Sequence, residues 1–587
     1  MTVRYNVLFP LSLMVLVVAP GCSEAPSPEP PSAAEAATRI AAEFVDAYYT
    51  QFPEEVYEVG YPDAPMDRLG DRSETALAAW NQQLDAWHAG LSGLDPKELG
   101  DAAVPWRFTL ERMDALIDRR VCRMELWNVS PTWTGWQYSA ISTLAQQPVD
   151  TDEERDAALA RAKDIARFVD TELLNLERGM EVGYAAPASN VAAVIDQFTS
   201  LVETPVEESP FFNPATRTDD ESFIEDYREV VETSVVPALE TYRDFLVHEY
   251  KGRDEIGVSG NPDGAACHSA SVRYWSSLEM DPQAIHEAGL REMERIQAEM
   301  LGIAVDTFGT DNLLALFDEL RSNPEYTFAS EQEMLDYVQA AVDRGKAAMP
   351  DWFGYVPEVN VNVIPSPAYE KDSGGGFYSA GSADGSRPGT YQVGTYNPQG
   401  ISRAGQESVA FHDSWPGHHL QVTIAPLNEN LHPVQRYMYV SGTAEGWGLY
   451  SERLADEAGL YSSELARLGM LSNEAFRAAR LVVDPGMHVM GWTRDEAIDY
   501  MLENTAEGFD AVSSEVDRYA AVPGQATSYL IGSLEIFRLR AHAREQLGND
   551  FDIRAFHDRV LADGSVTLPM LAASIETWIE EVQATEP

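Results

Sequence analysis

From Ala36 to Thr577 almost every segment places apolar residues three or four positions apart, the period of a helix that buries one face. The pattern is plainest over residues 40–52, 73–92, 107–128, 153–180, 224–249, 282–301 and 331–348, with glycine and proline clusters between them. Asp281-Pro282 and Asp95-Pro96 read as helix starts, a capping aspartate followed by a proline whose missing N–H costs nothing in the first turn. Strand character is confined to residues 359–365, where apolar and polar residues alternate, and to 390–395. Between them lies a Gly/Ser-rich loop, 374–389. Helical pattern resumes at Gly405, with breaks expected at Asp484-Pro485-Gly486 and Pro523-Gly524. No repeat of fixed period occurs. The chain is therefore expected to be mainly α, a large helical fold with a small β-sheet near its cleft, walled by helices from both halves.

A net charge of −54 on 587 residues, 41 Lys+Arg against 95 Asp+Glu, excludes nucleic acid as a partner, because phosphate binding needs cations to replace released counterions. Cys22, Cys122 and Cys267 are too few for a disulfide framework and lack the short paired spacings of a cysteine zinc site. Cys267-His268 and His286 are read as structural. Arg4, the short apolar run 7–18 and Ala19-Pro20-Gly21 before Cys22 are expected to form an export signal over residues 1–21, with Cys22 lipidated. Residues 22–37, rich in Pro, Ser, Ala and Glu, would tether the domain over 38–587 to a bacterial membrane, facing the periplasm or the cell exterior. Oligomeric state is not legible.

Three histidines fall within eight residues, in Phe411-His412-Asp413-Ser414-Trp415-Pro416-Gly417-His418-His419-Leu420-Gln421. Such density points to a metal, and two histidines four apart on one helix face suit zinc. Here the spacings are six and seven. On an undistorted helix His418 would stand about 9 Å along the axis and turned away from His412. Pro416, which cannot continue the hydrogen-bond ladder, and Gly417, which tolerates unusual dihedrals, allow two residues to loop out and restore the four-residue relation of His412 and His418. A third ligand is expected downstream in Ser441-Gly442-Thr443-Ala444-Glu445-Gly446-Trp447-Gly448-Leu449-Tyr450-Ser451-Glu452. Glu445 and Glu452 are seven apart and share a face. One could bind metal while the other holds a histidine; Glu445 is the preferred ligand. His419 is read as a supporting or packing histidine, and Trp447 with Tyr450 as core.

The stretch 412–421 resembles the His-Glu-x-x-Pro-Gly-His-His-x-Gln motif of the bacterial family termed domain of unknown function 885, many of whose members are described as lipoproteins. Further matches are Gly264-Ala265-Ala266, Ile285-His286-Glu287 with Gly289-Leu290, the loop 384–389, and Glu445-Gly446-Trp447 with Leu449-Tyr450 and Glu452. They continue through Val483-Asp484, Gly486-Met487-His488, Gly491-Trp492-Thr493, Asp517-Arg518-Tyr519, and Pro523-Gly524-Gln525-Ala526 with Tyr529. The resemblance runs from about Ala36 to the C-terminus. It implies the helical fold of zinc peptidases that use two histidines and a glutamate, and Zn2+ as cofactor. It also implies a general base after the first histidine. The family has glutamate there and this chain has Asp413, one methylene shorter, a shortfall of about 1 Å that can cost on the order of 100-fold in rate.

Hydrolysis of a peptide or amide bond by a metal-activated water then assigns further roles. Asp413 takes the proton. His488 and Tyr529 are candidate donors to the developing oxyanion. Arg387 or Arg518 could clamp a substrate carboxylate, and residues 390–395, if an edge strand, could align an extended peptide. The competing reading is a non-catalytic peptide-binding lipoprotein that keeps the metal.

Overall fold

The computed structural model describes residues 31–62, 64–366, 376–381 and 388–584. Cys22, the export signal, most of the tether and Arg387 lie outside them. The first helix, α1 (Ala33–Gln51), begins inside the span read as tether. Ser32 caps it by accepting from Glu35 N–H while the Glu35 carboxylate returns to Ser32, a reciprocal cap that fixes the helix start.

The molecule is mainly α. The helices used below are α2 (Ala103–Arg119), α3 (Gly264–Ser276), α4 (Pro282–Ile303), α5 (Glu331–Trp352), α6 (Gln406–Asp413), α7 (His418–Leu427) and α8 (Ser441–Glu457). They continue with α9 (Glu464–His488), α10 (Phe509–Ala521) and α11 (Ser528–Leu547). As expected, Asp281 caps α4, accepting from the N–H groups of Gln283 and Ala284. Among the described residues no single helix is long and apolar enough to cross a membrane.

The largest core surrounds α5 to α11, with Phe411, Trp415, Trp447, Tyr450, Leu481 and Tyr519 fully buried. A second core around Trp136, Phe168, Phe198 and Tyr242 serves the N-terminal half. A third joins Phe44 of α1 and Phe108 of α2 to Val434, Val440 and Met570, so the first helices close against the last third of the chain.

Three sequence expectations change. Asp484-Pro485-Gly486 does not break the chain: α9 runs through to His488. Pro485 forfeits a hydrogen bond only near the helix end, and nearly every residue from Ala475 to His488 is buried, which offsets the cost of an interior proline. The sheet has order β1-β3-β2, with β1 Val361–Pro365, β2 Phe377–Ser379 and β3 Gly389–Val393. β2 lies in what reads as pure loop. β3, the strand proposed as an edge, is central, paired parallel to β1 and antiparallel to β2, so its main-chain groups are already engaged and it cannot accept an added strand.

The third is covalent. Cys122 and Cys267 form a disulfide across 145 residues, tying the end of α2 to α3. Both cysteines are buried beside Leu126, Trp127 and Val258.

Candidate functional site

α6 stops at Asp413 and α7 starts at His418. The four intervening residues turn sharply, with a cis Trp415–Pro416 bond. Gly417 closes this break: a Cβ there would collide with the carbonyl oxygens of His412 and Phe411, so only glycine lets the backbone double back. Its N–H donates to the Phe411 carbonyl at 3.0 Å, and Trp447 Nε1–H donates to the Pro416 carbonyl at 3.0 Å. The turn brings the His412 and His418 rings to 4.7 Å between centroids, nearly perpendicular.

α8 supplies the carboxylates. Glu445 Oε2 lies 3.5 Å from His412 Nε2 and 3.4 Å from His418 Nε2, and the three potential ligand atoms all fall within 4.8 Å of one another. Ligands about 2.0–2.1 Å from one tetrahedral zinc ion are separated by roughly 3.3–3.4 Å, a spacing that both carboxylate–imidazole distances match. Two turns on, Glu452 Oε1 accepts from His412 Nδ1–H at 2.8 Å, and its Oε2 accepts from the Ser408 hydroxyl. Held there, His412 turns Nε2 toward Glu445. His418 is set the same way: Nδ1–H donates to Gln421 Oε1 at 3.3 Å, and Gln421 Nε2 reaches the Thr443 carbonyl on α8. His412 and Glu452 are almost wholly buried, whereas the side chains of His418 and Glu445 are 17% and 22% exposed, so solvent reaches the cluster from one side.

Charge is concentrated. Burial disfavours a charged His412, yet Glu445 and Glu452 outweigh it and raise the imidazolium to about 10. Burial likewise opposes ionised Glu445, and the two imidazoles more than compensate, holding it far below the usual carboxylate range. Asp413 is pushed up to about 6 by burial, partly countered by His412 and His418. Its carboxyl has no hydrogen-bond partner among the described residues.

The other expected site residues divide. Tyr529, at the start of α11, lies close enough to Glu445 for that charge to be the foremost one acting on its phenol. His419 faces the sheet: Nδ1 accepts from Tyr378 OH at 3.0 Å and Nε2–H donates to the Val359 carbonyl at 3.2 Å, tying α7 to the strands. Arg518 has its Nε and Nη2 closed on Glu515 and its Nη1 on Gln525, which leaves no open fork for a substrate. His488 is fully buried; Nδ1 accepts from Val258 N–H at 2.9 Å and Nε2–H donates to the Tyr519 carbonyl at 3.1 Å. With both nitrogens spent on backbone, His488 has no donor for an oxyanion.

Residues not singled out from sequence complete the site. A Cβ at Gly448 would stand 2.6 Å from both Cε1 and Nε2 of His412, so glycine is what lets that ring lie against α8. A glycine inside a helix costs about 1 kcal/mol against alanine, and Gly446-Trp447-Gly448 carried that signal. Buried Tyr391 of β3 lies near Asp413.

Fold and site together define a mainly helical protein with a candidate metal centre of two histidines and one glutamate. The chain belongs to the bacterial protein family of unknown function DUF885, whose model matches residues 53–575. No curated protein matches it. Among solved structures it is similar to a candidate lipoprotein from Colwellia psychrerythraea, at 24% identity and TM-score 0.86, over 94% of this chain and 100% of that one. It is also similar to a candidate lipoprotein of unknown function from Shewanella oneidensis, at 16% identity and TM-score 0.70, over 92% and 99%. These likenesses establish the shared fold.

Proposed function

We propose that this protein is an exported, zinc-dependent hydrolase of peptide or amide bonds. The observation that carries the reading is the convergence of His412, His418 and Glu445, with Glu445 Oε2 at tetrahedral-edge spacing from both imidazole Nε2 atoms, each imidazole oriented from behind, and the buried Asp413 carboxyl, without a hydrogen-bond partner among the described residues, within range of their charges. His412, His418 and Glu445 would hold the ion. Bound zinc supplies Lewis acidity, lowering the pKa of water and polarising a carbonyl. Asp413 takes the proton from the attacking water and delivers it to the leaving nitrogen. Tyr529 is the remaining candidate donor to the oxyanion. Glu452, Ser408 and Gln421 keep the imidazoles aimed.

Export and anchoring at Cys22 are supported by the charged start and apolar run before it, and by the Cys122–Cys267 disulfide, a bond that persists in oxidising compartments. The two similar structures are themselves described as candidate lipoproteins. The protein would face the periplasm or the exterior.

Metal analysis and digestion of a peptide library test the reading. One zinc per chain is expected, lost in His412→Ala with most helix signal kept. Hydrolysis is expected in the unmodified protein and lost in Asp413→Asn with zinc retained. Unchanged zinc in His412→Ala would overturn the ligand set, and zinc binding without turnover would favour a peptide-binding lipoprotein.

A further inference from the structure

A knot of buried charge lies beyond Tyr529. Arg518 of α10 closes on Glu515 through Nε and Nη2, at 2.8 and 2.9 Å, and on Gln525 through Nη1 at 2.6 Å. Arg480 of α9 gives Nε to Tyr519 OH at 2.9 Å and Nη2 to Glu515 Oε2 at 2.8 Å. Its Nη1 is buried and has no hydrogen-bond partner among the described residues, and the side chain is 7% exposed. A buried guanidinium N–H left unmade is costly in a folded protein, and such a group calls for a partner, whether a water or a ligand. Two guanidiniums share the one carboxylate of Glu515. Glu507, a further carboxyl within range of Arg480, is shifted by burial toward its neutral form. A surplus of positive charge thus sits inside a chain of net charge −54.

Packing places this surplus beside the ligand cluster. α8 and α11 run side by side in the same direction: Ser441 Oγ meets Ser528 Oγ at 2.8 Å, Gly446 abuts Gly532, and the Tyr450 ring lies 4.7 Å from that of Phe537. Tyr529 follows Ser528, and Glu445 is one turn beyond Ser441, so Tyr529 is next to the ligand carboxylate. The Arg480 guanidinium stacks on the Tyr529 ring at 4.7 Å. In order, the elements are Glu445, Tyr529 and Arg480.

We infer that Arg480 Nη1 receives a free carboxylate of the substrate, with the Tyr529 hydroxyl beside it, so that the bond cut is the amide adjoining a terminal carboxylate. The inference rests on the hydrolase reading and narrows its substrate class to chains shortened from the C-terminus, or N-acyl amino acids, rather than peptides cut internally. In the step itself the water oxygen bonds to the acyl carbon. The C–N bond breaks with its electron pair going to nitrogen, and nitrogen takes the proton that Asp413 removed from water.

The test uses full-length, zinc-loaded protein with N-acetyl dipeptides as free acids and as their C-terminal amides. Turnover is measured by product release and Kd by calorimetry. Because one charge-assisted hydrogen bond is at stake, the free acids should be favoured 10- to 100-fold in kcat/KM, mainly through KM. That ratio should fall toward one in Arg480→Gln and recover in part in Arg480→Lys, with circular dichroism confirming the fold of each. Equal kcat/KM for acid and amide in the unmodified protein overturns the inference and leaves the hydrolase reading standing. Turnover of neither set counts against the hydrolase reading alone, and Kd then decides. Acids at least 10-fold tighter than amides support carboxylate capture, and equal Kd values overturn it. A ratio unchanged in both variants removes Arg480 from the role; if Arg480→Gln fails to fold, Arg480→Lys and the unmodified protein carry the test.

Discussion

Gly448→Ala is the most discriminating change available at the candidate metal centre, because it adds one methyl group against one ring. The new Cβ would lie 2.6 Å from Cε1 and Nε2 of His412, where ordinary contact begins at 3.4 Å, so the ring must retreat by about 0.8 Å. It cannot do so freely: Nδ1–H is held by Glu452 at 2.8 Å, and Gly417 packs closely against the residue's carbonyl. A zinc site tolerates ligand displacements of about 0.2 Å. Disturbing a ligand's orientation typically costs 10- to 100-fold in metal affinity, and the upper end is expected here. Stability should change less, because overpacking costs about 1–3 kcal/mol and the gain in helix propensity returns about 1 kcal/mol. Chelator-competition titration should therefore show a zinc Kd raised about 100-fold, while the metal-free protein melts within about 3 °C of the parent. Gly446→Ala is the contrast, since its Cβ would meet Gly532 backbone at 2.5 Å and should lower stability first. Unaltered zinc affinity in a folded Gly448→Ala protein would refute the placement of His412 as a ligand.

Buried neutral histidines make the fold acid-sensitive. His557 donates Nδ1–H to the Trp352 carbonyl and accepts from Tyr450 OH, and burial lowers its pKa to about 3. The unfolded chain binds the proton below about pH 6.5, so stability is full above that value and falls as pH drops; between pH 7.5 and 5 the loss is about 2 kcal/mol for this group. Denaturant titrations should show that His557→Asn flattens the pH dependence by about that amount; an identical slope in both proteins would contradict it. Reducing Cys122–Cys267, or making Cys122→Ser, should destabilise by up to about 5 kcal/mol by the chain-entropy rule for a loop of 145 residues, read as a lower denaturant midpoint. Cys22→Ala should move the protein from the membrane to the soluble fraction, and persistence in the membrane fraction would point to a different anchor.

Helices were legible because each buries one face and advertises it at a period of 3.6. His412 and His418 were legible as a pair because Pro416-Gly417 between them could not be helix. The choice between Glu445 and Glu452 was not, since residues seven apart share a face; it depends on how far along α8 the end of α6 comes to rest, a matter of packing. His488 looked like a donor because sequence cannot show that Val258 and Tyr519, 230 and 31 residues away, take both nitrogens. The Cys122–Cys267 bond was hidden for the same reason, its partners being 145 residues apart. Arg480 is one arginine among many until its unmet N–H is seen.

Gly446 and Gly532 bring the backbones of α8 and α11 into contact with no side chain between them. Where side chains separate two helices, their spacing acts as a spring: repacking, temperature or a neighbour's substitution lets it drift by tenths of an ångström. Two backbones in contact act as a hard stop. Glu445 is adjacent to one member of that contact and Tyr529 is one turn before the other, so their mutual position is gauged from main chain to main chain. The surrounding core can exchange one apolar residue for another of similar volume and alter how tightly the domain holds together, while the separation of carboxylate and phenol keeps its setting.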